Sequence, residues 1–429
     1  MKEKYLKKLF QAYYRSHAKD FPEISSFQRR EFAFLSWDRK GMVRHLQFPS
    51  NKFLIQHLIS TAPRHSYHSA TYYQRPGAET MDQKGYLGCD FVVDIDADHI
   101  PTPCRENHDY AVCKSCGKVF HGEKPLKCPE CEGTKFDKIA WICDECLNVS
   151  KKQVFNLIEN FLLDDFSIPM EDIQLFFSGH RGYHIHLKTK SFLNLDQDAR
   201  REISDYVTGQ GFSFKLWNYK KIQNNMMGFT IEDPGWSGKI ARELYNILIQ
   251  GEIRIREIFE NPIYGKKLNS TVLGIFISNR QYLISQLLKK RRIWQISGIS
   301  DKSWERIFEI LRDRIKADID VVVSIDLHRL IRLEGSLHGK TGFKVMKLNY
   351  ENLKEFDPLK DALSFPNNLE NTLNLEITAP LAPKIRIGDD FYGPYNQGEK
   401  VKIPLNAALF LMCKDVAQLT QKSKNNKNL

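Results

Sequence analysis

Tyr86-Leu-Gly-Cys-Asp-Phe-Val-Val-Asp-Ile-Asp-Ala-Asp98 carries an apolar strand straight into acid. Side chains two apart on a strand share a face, so Asp94 and Asp96 point one way while Phe91, Val93 and Ile95 point into a core. Two carboxylates on one rigid surface repel each other unless a cation lies between them. A hard divalent ion with oxygen ligands meets that need. An isolated Asp-x-Asp is more often a solvated strand end; what turns this one into a candidate metal site is its company downstream.

Ser178-Gly-His-Arg-Gly-Tyr-His-Ile-His-Leu187 reads as part of two strands, within residues 173–187, around a Gly-rich turn. Glycine lets backbone approach a ligand, Arg181 offers a planar donor fork for phosphate, and Ser178 and His184 add donors. Tyr183, Ile185 and Leu187 alternate with His184 and His186, so the histidines share one face. Further on, Ile319–Ile325 reads as a buried strand that delivers Asp326, followed by Arg332, His338 and Lys340 interleaved with glycine up to Gly342. Asp318 and Asp320 are rival third carboxylates, expected to face solvent at the start of that strand. Three acids and two basic turns in one chain point to metal-assisted phosphate chemistry.

Six of the nine cysteines fall in three Cys-x-x-Cys pairs, which in a long chain without a secretory leader favours metal over disulfides. Cys113/Cys116 and Cys128/Cys131 are followed by Gly117 and by Glu132-Gly133, as in the two knuckles of a zinc ribbon, and four thiolates make a closed structural site. Cys104, His108, Cys143 and Cys146 remain, and can form a second site that encloses the first in sequence. His121 reads as a surface histidine, Cys89 and Cys413 as small buried hydrophobes. Such a module is first a folding device; a nucleic-acid contact is the competing role.

The 429 residues suffice for two or three structural units, and 63 Lys and Arg against 52 Asp and Glu leave a net charge of +11, suited to a polyanionic partner. Residues 1–20 and 52–60 read as helices, 31–48 as strands around a turn at Lys40-Gly41, Tyr67–Tyr86 as a loop, and Lys151–Asp164 as a helix. Residues 195–317 read as helical or irregular, with a basic run, Lys289–Arg292, ahead of Trp294. The start lacks the apolar core of a secretory signal, and Ile403–Cys413 is too short to span a bilayer. The Lys/Asn-rich end, Gln421–Leu429, reads as disordered. These features describe a soluble intracellular protein with no membrane association.

Together the runs Asp94-Ile-Asp96, Ser178 to His184, and Asp326-Leu-His-Arg-Leu-Ile-Arg332 continuing to Gly335-Ser-Leu-His-Gly-Lys-Thr-Gly342 closely resemble the catalytic (small) subunit of archaeal and eukaryotic-type DNA primases, the archaeal form in particular. Arg30-Glu-Phe-Ala-Phe, Met81 to Leu87 and Ala407-Ala-Leu-Phe-Leu-Met extend the resemblance over nearly the full chain. It implies that Asp94, Asp96 and Asp326 hold two Mg²⁺ or Mn²⁺ ions, and that Ser178, Arg181, His184, Arg332 and His338 grip the incoming triphosphate. Cys104, His108, Cys143 and Cys146 match the family's zinc knuckle, so one or two Zn²⁺ ions are expected. The chain departs from the family pattern at Glu334, where proline is usual, and in the ribbon inserted between the knuckle halves.

The implied fold is α/β (α+β): a primase-type catalytic core with a mixed, mostly antiparallel sheet, a zinc-binding insertion and a helical insertion. The expected division places the core at 1–103, 147–190 and 318–383, the zinc module at 104–146, the helical insertion at 191–317 and a C-terminal segment at 384–429. The implied activity is template-directed primer synthesis on single-stranded DNA by two-metal nucleotidyl transfer from nucleoside triphosphates. A large subunit completing a heterodimer and a cytoplasmic, nucleoid-associated location go with it. The rival readings are a stand-alone primase-polymerase of repair or a mobile element, and a non-catalytic zinc-ribbon protein that binds nucleic acid.

Overall fold

The acid stretch forms the strand Phe91–Asp96 in the computed structural model, which describes residues 2–38, 41–213, 229–289, 294, 296–368 and 370–420. Lys40, 290–292 of the basic run and the end 421–429 lie outside the described residues. The acid strand is one edge of a four-stranded sheet ordered Met346–Leu348, Ile173–Phe177, Gly182–Leu187, Phe91–Asp96. A second four-stranded sheet runs Leu330–Arg332, His65–Ser69, Phe32–Leu35, Met42–Leu46. Every strand pairing among the described residues is antiparallel. The architecture is a mixed α/β one with antiparallel sheets.

Alternation along the acid strand does what its sequence requires. Phe91, Val93 and Ile95 are buried together with Tyr183, Ile185 and Leu187 of the neighbouring strand. Asp94 pairs with His184 and Asp96 with Gly182, so the polar set of both strands shares the opposite face. Gly182 makes the pairing possible at its tight end, because a Cβ there would meet the Ile95 carbonyl oxygen at 2.4 Å and the Asp96 Cα at 2.9 Å.

Between the acid strand and the helix Asp144–Leu157 lies a three-stranded sheet ordered Val119–His121, Tyr110–Cys113, Phe136–Ile139. Near the end of the chain, the nine-residue helix Leu405–Cys413 is buried throughout. No helix among the described residues is long and apolar enough to cross a membrane. Chain contacts divide the molecule into two units. One comprises Met1–Lys152, Glu171–Arg200 and Asp320–Leu429; the other comprises Gln153–Met170 and Arg201–Ile319. The second is helical and packs around Trp294, Trp304 and Phe308, with Lys239 buried against Asp164 and Asp165.

Three local expectations change. Tyr67–Tyr86 is not one loop: His65–Ser69, Thr71–Tyr73 and Tyr86–Cys89 are strands. Their buried positions carry His and Ser, which hide the usual apolar signal; Ser69 Oγ donates to Thr71 O at 2.6 Å and His68 Nδ1 lies 3.0 Å from Ser69 O. Ile319–Ile325 is not a strand, since Val321–Ile325 forms a short helix. Valine runs favour strands, but the Asp320 carboxylate accepts the Val322 N–H at 3.0 Å and caps a helical turn that leaves Val322 65% exposed. The helix read as Lys151–Asp164 starts earlier, at Asp144, and continues through a π-helical stretch, Ile158–Leu163.

Because the methyl group of Gly182→Ala would strike backbone rather than a movable side chain, this substitution is expected to lower stability by about 2–3 kcal/mol. A clear fall in the thermal midpoint checks this, and an unchanged midpoint would contradict the close approach.

Candidate active site

Asp94 and Asp96 open into a cleft of about 290 Å³ in the first unit. It is also lined by Asp98, Ser178, His180 and His184, and by Tyr67, Arg329, Arg332, His338 and Lys340. Burial, joined by the charges of Asp96 and Asp320, pushes the Asp94 carboxyl up to about 7 against the opposing charges of Arg329 and Arg332. Burial also raises Asp96, against the pull of Arg181 and His99.

The histidines are held neutral. Burial drives His184 down to about 3, helped by Arg332 and Arg329, and its Nε2 lies 3.5 Å from an Asp94 oxygen. His65, His338 and His180 form a run of neighbouring rings, with centroids 4.9 and 5.1 Å apart, and all three are depressed by burial. The Gly339 N–H donates to His65 Nδ1 at 3.2 Å, and Arg332 Nη1 lies 2.6 Å from the same atom. That nitrogen is therefore the acceptor. A neutral imidazole can donate to phosphate without repelling a metal ion.

The glycines serve a purpose the sequence did not reveal. A Cβ on Gly179 would meet the His338 Cβ at 2.7 Å, and Thr341 Oγ1 donates to Gly179 O at 2.6 Å. They let the two turns pack on each other, which brings Ser178 and His338 to one cleft.

Of the residues expected at the triphosphate, Ser178, His184, Arg332 and His338 line the cleft. Arg181 does not. Its side chain is 1% exposed, and its guanidinium is taken up by Asp98, by both oxygens of Asp109 and by Trp141 O. The surrounding acids draw it behind the cleft wall. Asp326 is not among the lining residues either. It sits at the end of the short helix, between Val323 and Arg329, which do line the cleft, and its carboxylate accepts the His328 N–H at 2.8 Å. Asp320 is nearer the acid strand than its sequence position suggested, donating its N–H to Asp94 O at 2.9 Å. Asp318 is tied to Tyr264 Oη at 2.8 Å within the second unit and does not face open solvent. Glu334 is not in the cleft wall; burial raises its carboxyl, opposed by Lys347. Lys340, read in the sequence as a cation of the second basic turn, also lines the cleft, whereas His180, Arg329 and Tyr67 had no assigned role.

The cysteines sort into two sets of four. Cys104, His108, Cys143 and Cys146 present ligand atoms within 4.8 Å of one another, and so do Cys113, Cys116, Cys128 and Cys131. His108 Nε2 lies 3.3 Å from Cys146 Sγ, while its Nδ1 is 2.9 Å from Asp109, the arrangement that fixes a ligating imidazole. The Cys116 backbone N–H, joined by that of Ser115, holds the Cys113 thiol down to about 6, favouring the thiolate. In the second knuckle the left-handed residue is Glu132, and Gly133 is needed because a Cβ would lie 3.3 Å from two sulfurs. Both donor sets fit a tetrahedral thiolate-rich ion such as Zn²⁺.

Residues 130–348 match the family model described as DNA primase small subunit. The chain is 32% identical to the DNA primase small subunit of Methanothrix thermoacetophila, covering 97% of this chain and 98% of that one. The corresponding protein of Methanosarcina acetivorans is 30% identical over 96% of each chain, and that of Nitrosopumilus maritimus 28% over 97% and 98%. The chain belongs to the DNA primase small subunit family. In this family member the acid strand and both Gly-rich turns meet around one cleft, and both turns lie within the matched residues.

Two outcomes are expected. Metal analysis should find two zinc equivalents, one lost in Cys128→Ser/Cys131→Ser and the other in Cys143→Ser/Cys146→Ser; loss of both from the ribbon variant would contradict independent sites. For Asp94, whose folded value of about 7 lies above the ordinary 3.8, the folded protein keeps a proton that the unfolded chain has released. Its contribution to stability therefore falls as pH rises from about 4 to about 7 and stays low above that. Asp94→Asn is expected to raise the melting temperature of zinc-loaded, Mg²⁺- and Mn²⁺-free protein above pH 7, with the gain vanishing towards pH 4. Calorimetry across that range checks the sign.

Proposed function

We propose that this chain is the catalytic subunit of a DNA primase and makes short primers on single-stranded DNA from nucleoside triphosphates. The observation that carries this reading is the cleft of a family member that Asp94 and Asp96 share with Arg332, His338 and Lys340. Paired carboxylates of raised pKa in one cleft with cationic side chains suit cations at the former and phosphates at the latter.

Asp94 and Asp96, with Asp326 as the third carboxylate, would hold two Mg²⁺ or Mn²⁺ ions; hard oxygen donors fit either ion. Bound there, such ions lower the pKa of an attacking 3′-hydroxyl and offset charge on the triphosphate. Ser178, His184 and His338 orient the phosphates as neutral donors. Arg332 and Lys340 supply fixed positive charge where negative charge grows on the leaving group, an electrostatic role that needs no covalent intermediate. The packing of the Gly179 turn on the His338 turn fixes these donors before substrate arrives. Arg181 supports the acids from behind.

The same reading makes the two sheets a primase-type catalytic core, with 104–146 as a zinc insertion and 191–317 as a helical one. It gives the chain a large-subunit partner and an intracellular place of work. The net charge of +11 supports steep salt dependence of template binding.

Asp96→Asn is expected to abolish template-dependent primer synthesis in the presence of Mn²⁺, with zinc content unchanged and the protein still folded. Asp326→Asn is expected to match it, whereas Asp320→Asn, which alters only the field around Asp94, should lose no more than about ten-fold. Retained synthesis by Asp96→Asn overturns the site. Run with and without a candidate large subunit, the assay also separates a replicative primase from a stand-alone enzyme.

A further inference from the structure

Arg181 is a buried cation shared by three carboxylates. Its Nη2 is in direct contact with Asp98, its Nη1 donates to Asp109 at 3.1 and 3.2 Å, and its Nε lies 3.7 Å from Asp96 Oδ1. That Nε has no hydrogen-bond partner, so the guanidinium stops just short of Asp96. Asp98, Trp141 O and, buried deepest among its acids, Asp109 hold it there. The Asp109 side chain, only 9% exposed, also accepts the Trp141 N–H at 2.8 Å, lies 3.3 Å from Arg105 Nε and 2.9 Å from His108 Nδ1. His108 is one of four ligand residues around the Cys104–Cys146 cluster. A single carboxylate thus joins the knuckle, the Trp141 backbone and the back of the acid strand.

We propose that Asp109 is a positioning residue for the reaction: by retaining Arg181 it keeps Asp96 available to a divalent cation, and it ties the acid strand to the Cys104–His108–Cys143–Cys146 site. The proposal rests on the reading that Asp94 and Asp96 take such a cation. Neutralising Asp109 leaves the guanidinium buried with Asp96 and Asp98 as its remaining anionic partners, since a buried charge must keep a partner. Arg181 then competes with the cation for Asp96. A plain structural latch between module and core would behave differently, because its loss would loosen the module and leave the affinity of the acids for a cation alone.

The test is direct Mn²⁺ binding, followed by electron paramagnetic resonance on full-length, zinc-loaded protein without nucleotide or template. Asp109→Asn keeps an oxygen for His108 Nδ1–H and for the Trp141 N–H, so zinc content is expected to stay at the wild-type number. The Mn²⁺ dissociation constant is expected to rise by roughly ten-fold, the scale typical of groups one shell behind a metal ligand. In Asp109→Asn/Arg181→Gln the competing cation is gone, and binding is expected to return to within about two-fold of wild type, a non-additivity that marks direct coupling. If Asp109→Asn does not fold, Arg181→Gln and the double variant, which bury no unpaired cation, decide the matter: Asp109→Asn should be silent in the Arg181→Gln background. Unchanged Mn²⁺ affinity in Asp109→Asn, or losses that simply add in the double variant, overturn the proposal while the cation site stands. Absence of saturable Mn²⁺ binding in the wild type overturns both.

Discussion

Asp94 opposite His184 and Asp96 opposite Gly182 is the pairing on which the cleft depends. A slip of one residue would swing both acids and both histidines into the apolar layer and expose Val93 and Ile95. The buried set on the far face resists that slip, and Gly182 resists it locally by admitting the Ile95 carbonyl where no other side chain fits. On the open edge of the strand, the Asp320 N–H occupies the Asp94 carbonyl. This contact covers an edge that would otherwise invite another strand.

That register gathers acids where water is scarce, yet among the described residues the fold closes no arginine or lysine onto Asp94, and Arg181 stops 3.7 Å from Asp96. Among the described residues, the ion-pair contact to Asp94 comes from His184, whose imidazole is neutral. Arg329 and Arg332 act on Asp94 from within the same cleft. Had either closed on it, acid and base would satisfy each other and exclude a ligand from both. Keeping them apart leaves acids short of cations and bases short of anions within one cleft, a charge pattern suited to a ligand that carries both signs.

Much of this was legible in the chain. Alternation gave the face of Asp94 and Asp96, the histidine-bearing hairpin and its turn, and Cys-x-x-Cys spacing separated ribbon from remaining ligands. The misses share a cause: a local pattern overruled by a tertiary partner. Val321–Val323 reads as a strand until Asp320 caps it as a helix beside Asp94. Tyr67–Ser69 reads as loop because its buried positions are polar, and only the folded backbone around them shows how His68 and Ser69 are satisfied. Arg181 looks like a phosphate fork until Asp98 and Asp109 are seen beside it. Spacing reports which residues can share a face, whereas the partner that arrives from elsewhere in the chain decides what a charged side chain does there.

The C-terminal helix carries the same lesson to its end. Ile403–Cys413 reads in sequence as an apolar run, but within its helix Phe410 sets its ring 5.3 Å from Trp141 and 5.7 Å from Phe343, joining the knuckle segment to the second Gly-rich turn. The next turn brings Lys414 Nζ within 2.6 Å of Ala140 O and 2.8 Å of His180 Nε2. Burial pushes this ammonium well below its usual range, reinforced by Arg181 and Lys340 and opposed by Asp109 and Asp96. A residue near the chain's end therefore helps fix the ring of His180, which lines the cleft. Apolar packing and site chemistry are one structure here, because any shift of Phe410 moves Lys414, and with it the imidazole it touches, while the acid strand stays where its register holds it.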